Sequence, residues 1–469
     1  MKSVFPIAAL LALAGCASVH DAVDSFRPTT HVGPGTAAAP ETPWIAPANA
    51  VPRDVPAREV TLPAGLEAGK PVTLAQVIDV ALANNPTTRT AWLEARAAEA
   101  GLGSARAVYL PEIDVLASLT HGRGAARDSG TTTTFAPSLA LNYLLFDFGG
   151  REAEVEQARQ TLIAFDFLHN TAIQDVILRT QQAYYGYLDA KALLAAQDAT
   201  LKERQVSLDA AEARHNAGVA TIADVLQART ASSQARLTYE TIDGNLHTIE
   251  GSLATAMGLP PATQFDFGEL PADIPTRQLG DAIEALLTRA STTRPDLAAQ
   301  RALAERAAAR VQAVRAEGLP SISLSASAGQ TFGTGSRITP YSAGVALRFP
   351  LFTGWRNTYD IRQAELQRAI AEEDVRGLTQ QIHLQVWTSY YALQTAEQRL
   401  TTSRDLLASA QQSVDVARER YRAGVGGILD LLTAEAALEN ARAQEVQARA
   451  DWFVAVAQLA HDTGTLGER

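Results

Sequence analysis

Residues 138–151 read SLALNYLLFDFGGR, and residues 341–356 read YSAGVALRFPLFTGWR. In both stretches apolar side chains alternate with small or polar ones, and a turn rich in aromatic residues and glycine follows. A period of two predicts a β-strand with one apolar face and one polar or small face. The glycine-containing turn then ends the strand, and a long stretch without proline begins. Each stretch therefore marks a change from strand to helix.

A second alternating segment precedes each of these strands, and it is clearest at residues 321–328, which read SISLSASA. Loops rich in Gly, Ser and Thr separate the two members of each pair. The sequence therefore predicts two β-hairpins, at about residues 112–146 and 321–352, which give four strands per chain.

The rest of the body has helical patterns. The predicted helices are two interrupted pairs at about 73–109 and 280–317, two long helices at about 149–214 and 355–421, and two return helices at about 220–257 and 428–462. In the first long helix, apolar residues recur at spacings of 3, 4 or 7, which indicates a coiled-coil seam. A helix of about 65 residues is roughly 100 Å long. Such helices are far longer than a globular core needs.

The body is a duplication. Pro111 and Pro320 are 209 residues apart, whereas Phe146 and Phe352, Gly218 and Gly424, and Asp224 and Asp430 are each 206 residues apart. A constant offset on either side of one three-residue deletion predicts two structural repeats. We place them at residues 71–270 and 271–469.

Four strands cannot close a barrel, and open sheet edges do not survive in lipid. Strands of about ten residues that alternate in polarity are typical of outer-membrane barrels. Closure then requires several chains, and two would give eight strands whereas three would give twelve strands and room for a lumen. The alternative is a water-soluble sandwich, in which the apolar faces pack on each other.

The N-terminus carries an export signal. Residues 1–16 read MKSVFPIAALLALAGC, with one basic residue and a short apolar segment. We interpret residues 1–15 as a lipoprotein signal peptide and Cys16, the one cysteine of the chain, as the lipid attachment site. The alternative is an ordinary secretory signal with an incidental cysteine. Residues 16–70 are rich in proline and predict a lipidated, extended tether.

Composition excludes several classes of protein. The formal net charge is −11, which argues against nucleic acid as a partner, and the single Cys excludes a disulfide framework. A mean hydropathy of −0.05 excludes a bundle of membrane helices. The eight histidines are scattered, and no P-loop or GxSxG motif is present. We therefore expect no enzyme activity, no cofactor and no metal site.

The order of these parts resembles the TolC family of outer-membrane efflux proteins. The motifs that match are the strand-to-helix turns, LFDFGGR at 145–151 and LFTGWR at 351–356, and the turns between long helices, RHNAG at 214–218 and RYRAG at 420–424. The resemblance covers about residues 72–464. The cysteine at the end of the signal peptide points to the lipoprotein branch of the family, often called NodT-type, which partners RND pumps.

The resemblance implies a mainly helical fold with a membrane β-barrel portion. Three chains would form a homotrimer with a twelve-stranded barrel in the outer membrane and a tapering helical tunnel through the periplasm. A periplasmic adaptor (membrane fusion) protein and an inner-membrane RND-type pump would dock at the closed tip. Substrates would pass outward through this tripartite efflux system without catalysis in this chain.

The family match also implies site residues at the helical tips. Asp430 lies where the periplasmic gate carries an acidic ring, although an N-cap of the return helix is an equally good interpretation. Asp224 is its equivalent in the first repeat and is better explained as a cap, and Thr433 stands where some relatives have a second gate acid. The residues that match adaptor-contacting tips are Ala217, Gly218, Val219, Ala423, Gly424 and Val425.

Two alternative functions stay open. The first is an outer-membrane channel for type I protein secretion or heavy-metal export, which the same residues would also fit. The second is a periplasmic coiled-coil scaffold without a pore.

Overall fold

The computed structural model describes residues 60, 71–123, 131–263, 265–272, 274, 282–333 and 336–466. The predicted signal peptide, Cys16 and nearly all of the predicted tether lie outside the described residues.

The first half of the described chain has two short helices, a β-hairpin and a long helical hairpin. Its elements are α1 (Leu74–Asn84), α2 (Pro86–Arg106), a 3₁₀ turn (Ala107–Tyr109), β1 (Glu112–Arg123), β2 (Thr131–Phe146), α3 (Gly150–Asn216) and α4 (Ile222–Ala256). The second half has the same order. Its elements are α5 (Ile283–Thr293), α6 (Pro295–Glu317), β3 (Ser321–Gly329), β4 (Thr331–Gly333), β5 (Ser336–Ile338), β6 (Tyr341–Arg348), α7 (Arg356–Arg422) and α8 (Ile428–Asp462).

Proline separates the two short helices in each half. Asn85 has an extended backbone, and Pro86 is the first residue of α2. The Asn85 side chain accepts a hydrogen bond from the Thr87 N–H at 2.9 Å, which caps the new helix. Arg294 and Pro295 repeat this break between α5 and α6. The residue before a proline avoids the helical region, so both breaks follow from the local sequence.

The sheet is antiparallel in every pairing of its strands. β1 pairs with β2, β2 with β3, and β3 with β6. β4 pairs with β2, as β3 does, and β5 pairs with β4, as β6 pairs with β3. β3 and β4 therefore share one position, β5 and β6 share another, and the six strands occupy four positions across the sheet. The second hairpin is thus divided into four short strands, where the sequence predicts two. Between β5 and β6, Pro340 has no N–H to donate, although its carbonyl accepts the Gly329 N–H at 2.9 Å.

The register gives the sheet two different faces. On one face lie exposed apolar side chains from the outer strands, such as Val115 at 79% and Leu347 at 69% exposure. On the other face β3 and β6 carry small hydroxyl groups, and Ser327 Oγ of β3 lies 2.9 Å from Ser342 Oγ of β6. An apolar face that no described part of the chain covers fits lipid contact better than a sandwich.

Each long helical hairpin has its own apolar seam near its tip. Between α3 and α4 the seam consists of Leu208, Ala211, Val225 and Ala228. Between α7 and α8 it consists of Ala410, Val414, Ala434, Leu438 and Ala441. Small and branched residues at these spacings allow the helices to pack closely along their length.

The helices contain no apolar stretch long enough to traverse a bilayer, as far as the described residues extend.

Candidate functional site at the helical tips

The tip of the first hairpin is a tight, glycine-dependent turn. At the end of α3, the Gly218 N–H donates to His215 O at 2.9 Å and the Val219 N–H donates to Arg214 O at 3.0 Å. Gly218 has a φ of 76°, which only glycine adopts without strain. Thr221 then begins α4 in a capping box. Its N–H donates to Asp224 Oδ2 at 3.0 Å, and the Asp224 N–H donates to Thr221 Oγ1 at 3.3 Å.

The tip of the second hairpin has the same turn. At the end of α7, the Gly424 N–H donates to Tyr421 O at 3.1 Å and the Val425 N–H donates to Arg420 O at 3.0 Å. Gly424 has a φ of 75°. The two turns therefore hold Gly218 and Gly424 in the same left-handed conformation, which ends each long helix.

Apolar side chains project from both turns. Val219 is 64% exposed and Val425 is 69% exposed, and the other four tip residues predicted to contact the adaptor lie beside them in the turns. Exposed branched side chains on tight, rigid turns form a compact apolar surface at each tip.

Asp430 differs from Asp224 in how firmly it is held. The Asp430 carboxylate is exposed and accepts one N–H, from Gly427, at a distance of 3.4 Å. Asp224 is half-buried and has the shorter, reciprocal bonds of the capping box. The structure therefore supports the cap interpretation for Asp224. It leaves oxygen atoms of Asp430 free to face solvent, beside Arg420 and Thr433 in a groove of about 770 Å³ between α7 and α8.

Arg214, near the end of α3, connects the two tips. Its Nη1 donates to Tyr421 O at 3.1 Å, and its guanidinium lies over the Tyr421 ring at 4.9 Å. Tyr421 is buried, and burial raises the pKa of its hydroxyl. The contact joins residues 207 positions apart, so no local pattern predicts it.

A buried ion network joins α3 to α8 farther from the tips. Arg204 Nη1 lies 3.0 Å from Glu435 Oε2, and Arg204 Nη2 lies 3.3 Å from Glu439 Oε2. Ser207 Oγ donates to Glu435 Oε1 at 2.6 Å. Burial raises the pKa of Glu435, against the opposing effects of the Ser207 hydrogen bond and the Arg204 charge. The sequence alone does not identify this network, because Arg204 and Glu435 are 231 residues apart and no local pattern connects them.

A second network joins the C-terminal end of α8 to the middle of α3. His461 Nε2 lies 2.9 Å from Asp175 Oδ1, and His461 Nδ1 lies 3.1 Å from Asp462 Oδ1. Burial alone would lower the pKa of His461, but the hydrogen bonds to Asp175 and Asp462 outweigh it and raise the pKa to about 9. The same histidine lowers the pKa of Asp175. These groups are paired with one another and form a structural joint.

No cluster of three or more His, Cys, Asp or Glu side chains that could hold a metal ion occurs among the residues with described positions.

The fold and the tips together define a class of protein: a channel subunit with a lipid-compatible sheet at one end of long helical hairpins. The chain belongs to the outer membrane efflux protein family, whose sequence profile matches residues 77–259 and 286–465. The two matched segments start 209 residues apart and end 206 residues apart, which are the two offsets of the internal repeat. The family prediction and the prediction of an outer-membrane efflux channel are thereby confirmed at the level of the family.

Characterised relatives cover most of the chain. Protein CyaE of Bordetella pertussis is 29% identical over 410 residues, which are 84% of this chain and 85% of that protein. The probable efflux pump outer membrane protein TtgC of Pseudomonas putida is 28% identical, over 79% of this chain and 78% of that protein. Outer membrane protein TolC of Escherichia coli is 25% identical, over 84% of this chain and 83% of that protein.

Solved structures confirm the fold class. The outer-membrane channel OprN superposes with a TM-score of 0.76 at 21% identity, over 84% of this chain and 90% of that chain. VceC of Vibrio cholerae superposes with a TM-score of 0.73 at 23% identity, over 83% of this chain and 96% of that chain.

Proposed function

We propose that three copies of this chain form a transport channel without enzymatic activity, the outer-membrane component of a tripartite efflux system. The four strand positions of each chain would supply a twelve-stranded barrel, and the helical hairpins would continue it as a tunnel into the periplasm. The observation that carries the proposal is the sheet at the end of helices 67 residues long, whose apolar face and two edges no described residue covers. An isolated sheet of this kind is unstable in lipid, so closure by further copies is required.

The tips would dock a periplasmic adaptor protein, which in turn would join an inner-membrane RND-type pump. Ala217, Gly218 and Val219 on the first tip, and Ala423, Gly424 and Val425 on the second, supply rigid turns with exposed apolar side chains. Close approach of a partner backbone is easy at such turns because the glycines and alanines carry little bulk. Asp430, whose carboxylate is exposed at the base of one tip, would contribute one acid of a gate ring in the trimer.

Deletion of the gene tests the transport role. The deletion strain should become more susceptible to members of a panel of drugs, dyes and metal salts, and the intact gene should restore resistance. The pattern of sensitivities would also separate drug efflux from heavy-metal export. Unchanged susceptibility to the whole panel, together with loss of secretion of a particular protein, would favour a type I secretion channel instead.

We further propose that Cys16 carries the lipid that anchors the mature chain to the outer membrane. The support is the position of the single cysteine directly after a short apolar segment. Metabolic labelling with radioactive palmitate should label the full chain, and Cys16→Ser should abolish the label. Equal labelling of both proteins would rule out this anchor.

A further inference from the structure

The two open edges of the sheet carry opposite charges. β1 pairs only with β2 and β6 only with β3 among the described strands, so β1 and β6 are the edges. Glu112 and Asp114 lie at the start of β1, and Arg348 is the last residue of β6. None of these three side chains has an ion-pair partner in its own chain, within the part of the chain that is described.

All three side chains lie on the same face of the sheet. Glu112 is opposite Asn142, Asn142 is opposite Ser325, and Ser325 is opposite Gly344. Residues two apart along a strand share a face, so Asp114 lies on the face of Glu112, and Arg348 lies on the face of Gly344. This is the face with the serine hydroxyls, opposite the exposed apolar face.

The register also predicts which residues meet when the edges pair. The row of residues that starts at the first residue of β1 reaches β6 at Gly344, four residues before the end of that strand. Relative to the strand ends at the helices, the row is therefore four residues farther from the helices at β6 than at β1. In a barrel, strands about 4.8 Å apart that tilt by about 35–45° shift the register by about 4–6 residues over four strand positions. An odd shift would exchange the two faces, so the shift is about four or about six.

Both register shifts place Arg348 opposite an acidic residue of the next copy. A shift of about four residues places Arg348 opposite Glu112 of the next copy, and a shift of about six places it opposite Asp114. We propose that Arg348 of each chain forms an ion pair with Glu112 or Asp114 of a second copy, and that this pair sets the register in which β6 of one chain joins β1 of the next. The proposal rests on the trimeric barrel of the proposed function and adds the contact that closes it.

Disulfide trapping in the full-length chain tests the pairing. Directly opposite residues in antiparallel strands have Cα atoms about 4.5–5.5 Å apart, within the range of a disulfide. We expect Arg348→Cys combined with Glu112→Cys, or with Asp114→Cys, to yield covalent trimers as the main product after oxidation. The matched control combines Arg348→Cys with Thr120→Cys, which lies on the same strand and face but about 20 Å farther along. Each single-cysteine variant controls for Cys16.

Charge reversal supplies a second measurement that does not depend on disulfide formation. Arg348→Glu should lower the melting temperature and the yield of the trimer, and Glu112→Arg or Asp114→Arg in the same chain should restore most of the loss. If trimers form but crosslink only through the Thr120 control, or through neither acid position, the edge pairing is wrong while the channel stands. If the purified chain is monomeric, the proposed function and the edge pairing both fail.

Discussion

Single residues at the tips have separate tasks, and the hydrogen bonds distinguish them. Gly218 and Gly424 adopt a backbone conformation that other residues reach only with strain, so they shape the turns. Asp224 is engaged in a reciprocal capping box, whereas Asp430 holds one long bond from Gly427. The acid that is less needed for the helix is therefore the better candidate for a role in the lumen.

Replacement of Asp430 by alanine should weaken block of the channel by divalent cations. Three carboxylates in a ring attract cations, so their removal should reduce the affinity of the block about tenfold, equal to about 1.4 kcal/mol. The measurement is the current through purified trimers in a planar bilayer as the cation is titrated. Asp224→Ala is the matched control, which should lower stability by about 1 kcal/mol and leave the block unchanged. Unaltered conductance and block in Asp430→Ala would remove this residue from the gate.

Bulky residues at the tip glycines should abolish contact with the adaptor. Gly218→Val and Gly424→Val each place a β-branched side chain at positive φ, which destabilises the turn by about 1–2 kcal/mol. Crosslinking of the purified trimer to its adaptor measures the effect. Gly186→Ala in the middle of α3, where an added methyl group meets open space, should crosslink like the natural chain. Full crosslinking by both valine variants would show that the partner binds elsewhere.

The His461 network should make stability depend on pH in the alkaline range. The pKa of His461 is raised from an ordinary value of 6.5 to about 9, so protonated His461 stabilises the folded chain. This stabilisation, on the order of 3 kcal/mol, is complete below pH 6.5 and is lost as the pH rises through 9.

Thermal unfolding across this pH range provides the measurement for His461. His461→Gln should flatten the difference in melting temperature between pH 6 and pH 10, whereas His247→Gln, at a side chain that is 71% exposed, should not. A pH dependence that survives in His461→Gln would mean that other groups cause it.

At the scale of elements, the helices follow from the sequence and their mutual contacts do not. The last helix runs over Ile428–Asp462, where the sequence pattern predicts it, because glycines flank both of its ends. The break at Arg294 and Pro295 is equally local. In contrast, Arg204 and Glu435 are 231 residues apart, and only the packing of α3 on α8 brings them together. The sequence pattern predicts two strands in the second hairpin and does not show its division near Pro340, because the division depends on the register of the ladder.

The Arg204 network should contribute strongly to the attachment of α3 to α8. Arg204→Met leaves Glu435 buried without its cationic partner, which should lower the free energy of unfolding by about 3–5 kcal/mol. Glu435→Leu in the same chain removes the unpaired carboxylate and should restore most of the stability. The measurement is the melting temperature of the natural chain, of Arg204→Met and of the double variant. A double variant as unstable as Arg204→Met would mean that packing, and not the unpaired charge, causes the loss.

At the level of the whole molecule, a single chain leaves several apolar and charged surfaces exposed. Within the described part of the chain, its sheet leaves an apolar face and two charged edges uncovered, and its helical hairpins end in turns with exposed valines. Association around a threefold axis would cover the edges, lipid would cover the apolar face, and an adaptor would cover the tips. Duplication within the chain supplies two similar hairpins, so a trimer would present six tips.

The electrical behaviour of the purified full-length chain tests directly whether three copies of it form a channel. Protein whose mass in detergent corresponds to three chains should insert into a planar lipid bilayer and produce discrete, uniform current steps. A monomeric protein, or trimers that leave the bilayer current at the level of lipid alone in both the natural and the Asp430→Ala form, would contradict the assignment of this chain as a trimeric channel.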